Sequence, residues 1–217
     1  MSLHVEPEAD WAVAHDDTRR GLTWFHAIAI ALLAAFVAGA VGYVIGQGRP
    51  PSEDSVDVGF LRDMIDHHEQ AVAMARVTTR AEGIDPQTRS SAEEVMLLQQ
   101  REIGLMDAQL DAWGRIRGDL DRRAMQWMNM DTSVADMPGM QTDEAFDSLA
   151  GASGRAADRL FFTMMREHHI GGAHMAEYAA DHANSSSVRE LAARMAEFQV
   201  TEANEYTMLL RQMGLEN

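Results

Sequence analysis

The sequence predicts an all-α protein in which one N-terminal transmembrane helix precedes a four-helix bundle made of two repeated helix pairs. An uncharged apolar run and an internal two-fold repeat support this prediction. Few β-branched runs and only five prolines argue against an all-β fold. The 217 residues suffice for one domain and an appendage. The expected parts are a cytoplasmic tail at 1–23, a transmembrane helix at 24–46, a linker at 47–56 and a bundle at 57–217, with a long connection at 115–154.

The apolar run Trp24–Gly46 is the predicted transmembrane helix. Its 23 residues carry no charge. As an α-helix the run would extend about 34 Å, enough to cross the hydrocarbon core of a bilayer. Arg19 and Arg20 precede the run, and only Arg49 follows it before two prolines. The positive-inside rule therefore places residues 1–23 in the cytoplasm and the bundle outside, with the lipid bilayer as a partner.

A removed signal peptide is the alternative interpretation of this run. Ala38, Gly39 and Ala40 match a small-x-small cleavage signature, and cleavage there would give a secreted protein. The apolar run continues past Ala40 to Gly46, which is longer than a signal sequence needs. We therefore expect an uncleaved, single-pass anchor in the cell membrane.

Two similar segments predict the bundle. Residues 60–75 read FLRDMIDHHEQAVAMA and residues 161–176 read FFTMMREHHIGGAHMA. At an offset of 101 residues the identical pairs are Phe60/Phe161, Met64/Met165, His67/His168, His68/His169, Met74/Met175 and Ala75/Ala176. A weaker repeat at an offset of 100 places Q-x-x-E at residues 99–102 and 199–202. Each half is therefore predicted to be a helix pair, and short loops make such pairs antiparallel.

Capping and helix-breaking residues give the expected bounds of the helices. The first helix should end at Gly83, and the second should begin at Pro86 after the capping residue Asp85. Within the connection, short helical segments are expected at 119–127 and 143–149. The four predicted bundle helices are residues 57–82, residues 86–114, residues 155–183, and a segment from the break at 184–187 to Gly214.

The composition excludes several kinds of chemistry. Asp and Glu number 34 against 18 basic residues, so the formal charge of −16 makes a nucleic-acid partner unexpected. There is no Cys, which excludes thiolate metal sites and disulfides, and there is no Lys for Schiff-base chemistry. No phosphate loop or hydrolase signature is present. With 16 Met and nine His, the available chemistry is that of thioethers and imidazoles.

One face of the first bundle helix carries Met64, His67, Ala71 and Met74 at spacings of three, four and three residues, and the third helix repeats it. Neutral imidazole and thioether are both good ligands for Cu(I). Core packing is the alternative, but packing does not require the same His-His pair twice. The candidate copper ligands are Met64, His67, His68, Met74, Met165, His168, His169 and Met175.

The connection between the helix pairs is rich in methionine. Pro138, Gly139 and several Asp residues predict a loop here. Flexible thioethers in a loop could form a second Cu(I) site, and the alternative is that they cover one end of the bundle. The methionines concerned are Met125, Met128, Met130, Met137 and Met140.

A carboxylate-bridged di-iron oxidase is the competing prediction for such a bundle. That site requires Glu-x-x-His on two helices, but Met64 and Met165 stand three residues before the histidines. Enzymatic activity is therefore not expected. The nearby carboxylates are instead predicted to accept hydrogen bonds from the imidazoles and so orient them; these are Asp66, Glu102, Glu167 and Glu202. For Glu102 and Glu202 the alternative is a salt bridge with an arginine.

The two copies, MIDHHEQAVAMA and MMREHHIGGAHMA, resemble the repeated M-x-x-HH-x-x-A-x-x-MA signature of domain-of-unknown-function family 305. The resemblance covers about residues 57–214 and includes the Q-x-x-E helices and the M-P-G-M segment. It implies an exported ferritin-like four-helix bundle, and some members are linked to copper or silver binding and copper tolerance. Carried over by position, it implies the same eight Met and His ligands. The long anchor is a departure from the family.

These observations together predict a membrane-tethered protein that binds Cu(I) or Ag(I) outside the cytoplasm and buffers, sequesters or delivers copper. Two alternatives remain open at this point. One is an accessory subunit of a membrane complex, with a membrane protein or a second copy as partner. The other is a ferritin-like metal oxidase.

Overall fold

A computed structural model describes residues 24–46 and 49–216, and it confirms the all-α fold class. The chain divides into two units, Met1–Arg49 and Pro50–Asn217. The predicted tail at 1–23 and residues 47–48 of the predicted linker lie outside the described residues. The elements are α1 Trp24–Gly46, α2 Val56–Arg80, α3 Pro86–Ala112, β1 Arg123–Ala124, β2 Thr132–Ser133, α4 Asp143–Ala150, α5 Gly154–His182 and α6 Ser186–Gln212.

Helix α1 has the predicted bounds, and its apolar side chains are exposed, as at Leu32 and Phe36. A helix of the core of a soluble domain would bury such side chains. Among the described helices, α1 is the one that is long and apolar enough to cross a membrane. A signal sequence near the N-terminus has the same properties.

Local capping sets the bounds of the bundle helices. The Ser55 hydroxyl accepts a hydrogen bond from Val58 N at the start of α2, and the Asp85 carboxylate accepts one from Gln87 N before Pro86 begins α3. Helix α2 ends at Arg80, two residues before the predicted end, because Ala81 is already extended.

The two helix pairs, α2–α3 and α5–α6, are joined by reciprocal hydrogen bonds at their ends. Asp57, at the start of α2, accepts hydrogen bonds from the backbone of Asn184 and Ser185 before α6. Asp158, at the start of α5, accepts one from the backbone of Asp85 before α3. The start of α2 therefore lies at the end of α5, so these two helices are antiparallel. The predicted bundle of two repeated pairs is confirmed.

The core consists of two apolar clusters. One contains Phe60 and Met64 of α2 with Met175 and Ala179 of α5, and the connection adds further residues to it. The other contains Met74 and Ala75 of α2 with Phe161 and Met165 of α5. Burying each of the large side chains contributes about 1.5–3 kcal/mol to stability.

The connection differs from its prediction in one segment. The helix expected at 119–127 is wrong, because Met125 and Asn129 adopt left-handed backbone conformations that a helix cannot contain. Strand β1 instead pairs antiparallel with β2, in the register Arg123 to Ser133, and short 3₁₀ turns occupy Gln126–Met128 and Val134–Asp136. The helix expected at 143–149 is confirmed as α4.

Candidate metal centre

Four histidines lie at the middle of the bundle, and all of them are fully buried. The rings of His67 on α2 and His168 on α5 face each other, with centroids 3.7 Å apart and planes inclined by 33°. The rings of His68 and His169 lie farther out, with centroids 6.4 and 6.1 Å from their neighbours on the same helix. An imidazole lone pair lies in the ring plane, so a metal ion here would bind at the ring edges and not between the facing rings.

Gly172 provides the space that the His67 ring occupies. A Cβ atom at this position would lie 2.8 Å from Cε1 of His67 and would overlap the Gln199 side chain. The small residue between His and Met in the α5 copy therefore admits an imidazole from the opposite helix.

A segment of the connection, residues 137–141, lies directly over the histidines, and we call it the strap. His67 Nε2 donates a hydrogen bond to the carbonyl oxygen of Pro138, at 3.1 Å. Gly139 has φ +84° and packs against the backbone of His168. The Pro138 carbonyl was missed from the sequence, although the Pro-Gly pair signals a turn.

Two of the predicted imidazole–carboxylate hydrogen bonds are present. Nε2 of His68 lies 2.8 Å from Oε2 of Glu102, and Nε2 of His169 lies 2.8 Å from Oε2 of Glu202. The Tyr206 hydroxyl donates to the other oxygen of Glu202. The Q-x-x-E motif on α3 and α6 therefore positions one carboxylate beside the second histidine of each pair.

The other two carboxylates have different partners. Asp66 forms ion pairs with Arg122 and Arg117 of the connection. Glu167 is exposed and lies 3.8 Å from Arg166. The prediction that these residues hydrogen-bond to the histidines is therefore corrected, because Asp66 pairs with arginines of the connection and Glu167 lies on the exposed face of α5.

Several imidazole nitrogens in the described part of the chain have no hydrogen-bond partner. These are Nδ1 of His67, Nδ1 of His68 and both nitrogens of His168. His169 differs, because its Nδ1 donates to the carbonyl oxygen of Met165 at 2.8 Å while its Nε2 faces Glu202. Burying a nitrogen without a hydrogen-bond partner lowers the stability of the fold. Three of the four histidines therefore have nitrogens that a metal ion could satisfy.

The four helix methionines are fully buried on the same two helices as the histidines. Met64 and Met175 share one core cluster, and Met74 and Met165 share the other. Within residues 24–46 and 49–216, no three His, Asp or Glu side chains are grouped so as to hold a metal ion. A site at this centre would therefore need thioether ligands as well as imidazoles.

The five methionines of the connection do not lie together in a flexible loop. Met125, Met128 and Met137 are buried in the core cluster that contains Met64, and Met140 packs partly buried against it. Met130 is 44% exposed. The buried methionines therefore fit the alternative interpretation, in which they cover the bundle. The expectation that all five form a flexible thioether site in a loop is corrected.

Burial keeps His67 and His168 neutral. Desolvation, followed by the neighbouring His68, lowers the pKa of His67 to about 3. Desolvation and the adjacent His67 also hold the pKa of His168 well below its ordinary value. Neutral imidazole is the form that binds a metal ion.

Solved structures share this fold. A DUF305 protein from Streptomyces coelicolor that is assigned as secreted is 34% identical, with a TM-score of 0.69, and the match covers 75% of this chain and 96% of that one. A DUF305 fragment from Deinococcus radiodurans is 25% identical, with a TM-score of 0.62 and coverage of 72% and 96%. CopM in the Cu(I)-bound form is 22% identical, with a TM-score of 0.53 and coverage of 72% and 96%.

No curated protein matches this sequence. The family model described as "Domain of unknown function (DUF305)" matches residues 57–210, which include the strap and all but the end residues of the four bundle helices. The chain belongs to the DUF305 family.

Proposed function

We propose that this protein binds Cu(I), or Ag(I), outside the cytoplasm and serves copper buffering, tolerance or delivery. One observation carries the proposal: buried imidazole nitrogens without partners lie on two helices that each bury two methionines, one on either side of the histidine pair in the sequence. His67, His68 and His168 would supply nitrogen ligands, with at most two of them on any one ion, because no three such side chains of the described residues are grouped to hold one. The methionines of α2 and α5 would supply sulfur ligands. A bound ion would supply soft Lewis-acid coordination that satisfies the nitrogens it contacts.

The character of the site favours a monovalent, soft ion. All of the proposed ligands are uncharged, and the cost of burying an ion without a compensating charge rises steeply with its charge. Thioethers bind Cu(I) well and bind Mg²⁺ or Ca²⁺ poorly. CopM has been solved in Cu(I)-, Cu(II)- and Ag-bound forms, which supports the proposal at the level of the shared fold.

We propose binding without catalytic turnover. A ferritin-like oxidase needs carboxylates that bridge two metal ions. Here Glu102 and Glu202 are each engaged with a histidine, and methionines occupy the positions that the di-iron motif gives to glutamates.

Cu(I) titration of the full-length chain in detergent, under anaerobic conditions and against a competing chelator, tests the proposal. The double variant His67→Gln, His168→Gln should lose affinity by on the order of 100-fold or more, because it removes two ligands. The matched control is His174→Gln, since His174 is exposed on the same helix. Unchanged affinity in the double variant would mean that the histidines and methionines serve only to pack the core.

The anchor is the second part of the proposal: α1 holds the bundle at the outer face of the membrane, with the N-terminus in the cytoplasm. The full-length chain should stay in the membrane after an alkaline carbonate wash and keep its N-terminal residues in the mass spectrum. A soluble protein that begins near residue 41 would show instead that this segment is a signal peptide. Co-purification from mild detergent checks for a membrane partner or a second copy.

A further inference from the structure

We infer that the strap selects the nitrogen of His67 that is able to bind a metal ion, and that this atom is Nδ1. The inference rests on the proposed function and adds an atomic assignment to it. A neutral imidazole carries one proton, and the nitrogen without the proton supplies the lone pair. The Pro138 carbonyl can only accept a hydrogen bond, so Nε2 of His67 must carry the proton. Nδ1 then has the lone pair, and it has no partner among the described residues.

The strap is held so that the Pro138 carbonyl keeps this position. Gln70 of α2 exchanges two hydrogen bonds with the backbone of Gln141, both of 2.8 Å. Gly171 of α5 leaves the space that the Pro138 carbonyl group fills, and a Cβ there would overlap it. A Cβ on Gly139 would lie 2.6 Å from the carbonyl oxygen of His168. These are positioning residues, since they act on a metal ion only through His67.

The strap also makes the two halves of the repeat unequal. His168 corresponds to His67 in the repeat, but neither of its nitrogens has a partner in the described chain. Nδ1 of His68 has no hydrogen-bond partner among the described residues, whereas both nitrogens of His169 lie within hydrogen-bond distance of oxygen atoms. The nitrogens that remain available to a metal ion are therefore Nδ1 of His67, Nδ1 of His68 and those of His168, whereas His169 offers none.

Nitrogen-15 NMR of the full-length chain in detergent, labelled at histidine, tests this assignment, because protonated and lone-pair nitrogens give well-separated resonances. The apo-protein should show His67 as a single tautomer protonated at Nε2. Addition of Ag(I), a diamagnetic substitute for Cu(I), should shift the Nδ1 resonance of His67. Gln70→Ala should raise the population protonated at Nδ1, whereas Gln100→Ala, at an exposed glutamine, should not. Pro138→Ala keeps the carbonyl and should keep the tautomer.

The outcomes separate this inference from the proposed function. Ag(I) bound to the protein with His67 ligating through Nε2, or not ligating, overturns the inference alone. A single unchanged tautomer in Gln70→Ala overturns the role of the strap. A complete absence of Ag(I) and Cu(I) binding overturns the proposed function, and with it the assignment of Nδ1 as a ligand.

Discussion

Replacing Asp63 with alanine is expected to lower the free energy of unfolding by about 3–5 kcal/mol, because it removes a buried carboxylate that accepts two hydrogen bonds and forms an ion pair. The Asp63 carboxylate accepts hydrogen bonds from Met125 N and Trp127 Nε1, both at 2.7 Å, and pairs with Arg122 at 2.8 Å. Burial raises the pKa of Asp63, while these partners oppose that shift. Without the carboxylate, the two N–H donors lose their buried acceptor, and Arg122 retains only Asp66 as its ion-pair partner among the described residues.

Urea denaturation monitored by circular dichroism measures this loss. Asp131→Ala is the matched control, since Asp131 also pairs with an arginine of the connection, Arg123, but the two side chains are 63% and 52% exposed. Exposed pairs contribute little, so this control should unfold at nearly the wild-type urea concentration. If the two substitutions lowered the free energy of unfolding equally, the role of Asp63 in holding the connection against α2 would be contradicted.

Lowering the pH from 7 to 5 is expected to destabilise the metal-free protein by about 2–3 kcal/mol net. The pKa of His67 is about 3 and that of His168 is well below its ordinary value when folded. The unfolded chain therefore takes up protons near pH 6.5 that the folded chain does not. Their contribution is fully present above this pH and is lost as the pH falls toward 3, by up to about 1.4 kcal/mol per histidine per pH unit.

Asp66 opposes this trend. Burial raises its folded pKa to about 6, so the folded chain gains a proton before the unfolded chain does and becomes more stable as the pH falls below 6. The raised pKa of Asp63 acts in the same direction. Urea titrations at each pH should show a flattened dependence in the His67→Gln, His168→Gln double variant and the wild-type dependence in His174→Gln. An unchanged slope in the double variant would contradict the prediction.

The helices could be predicted because their signals are local. Asp85 and Pro86 begin α3 through neighbouring backbone groups, and the constant offset of the repeat reveals the paired helices without any knowledge of their packing. The Met and His stripe was visible for the same reason, since helical periodicity alone places these residues on one face.

The parts of the fold and of the site that could not be predicted depend on contacts between residues that are far apart in the sequence. Asp63 and Trp127 are 64 positions apart, and no local pattern indicates that the carboxylate would prevent a helix at 119–127. The acceptor of the hydrogen bond from His67 Nε2 is a backbone carbonyl oxygen, and every residue has one. Met125 and Met130 carry the same side chain, but only the fold decides that one is buried and the other exposed.

The reciprocal caps at the helix ends bear on the symmetry of the chain. Asp57 of the first half caps α6 of the second, and Asp158 of the second half serves the start of α3 in the first. One half alone would keep a buried carboxylate without its donors and an uncovered apolar face. Two copies of one half would restore both, because each aspartate would find the equivalent backbone groups in its partner. The molecule therefore has the architecture of a two-fold symmetric dimer within one chain, and the strap in the linking segment makes its two halves different.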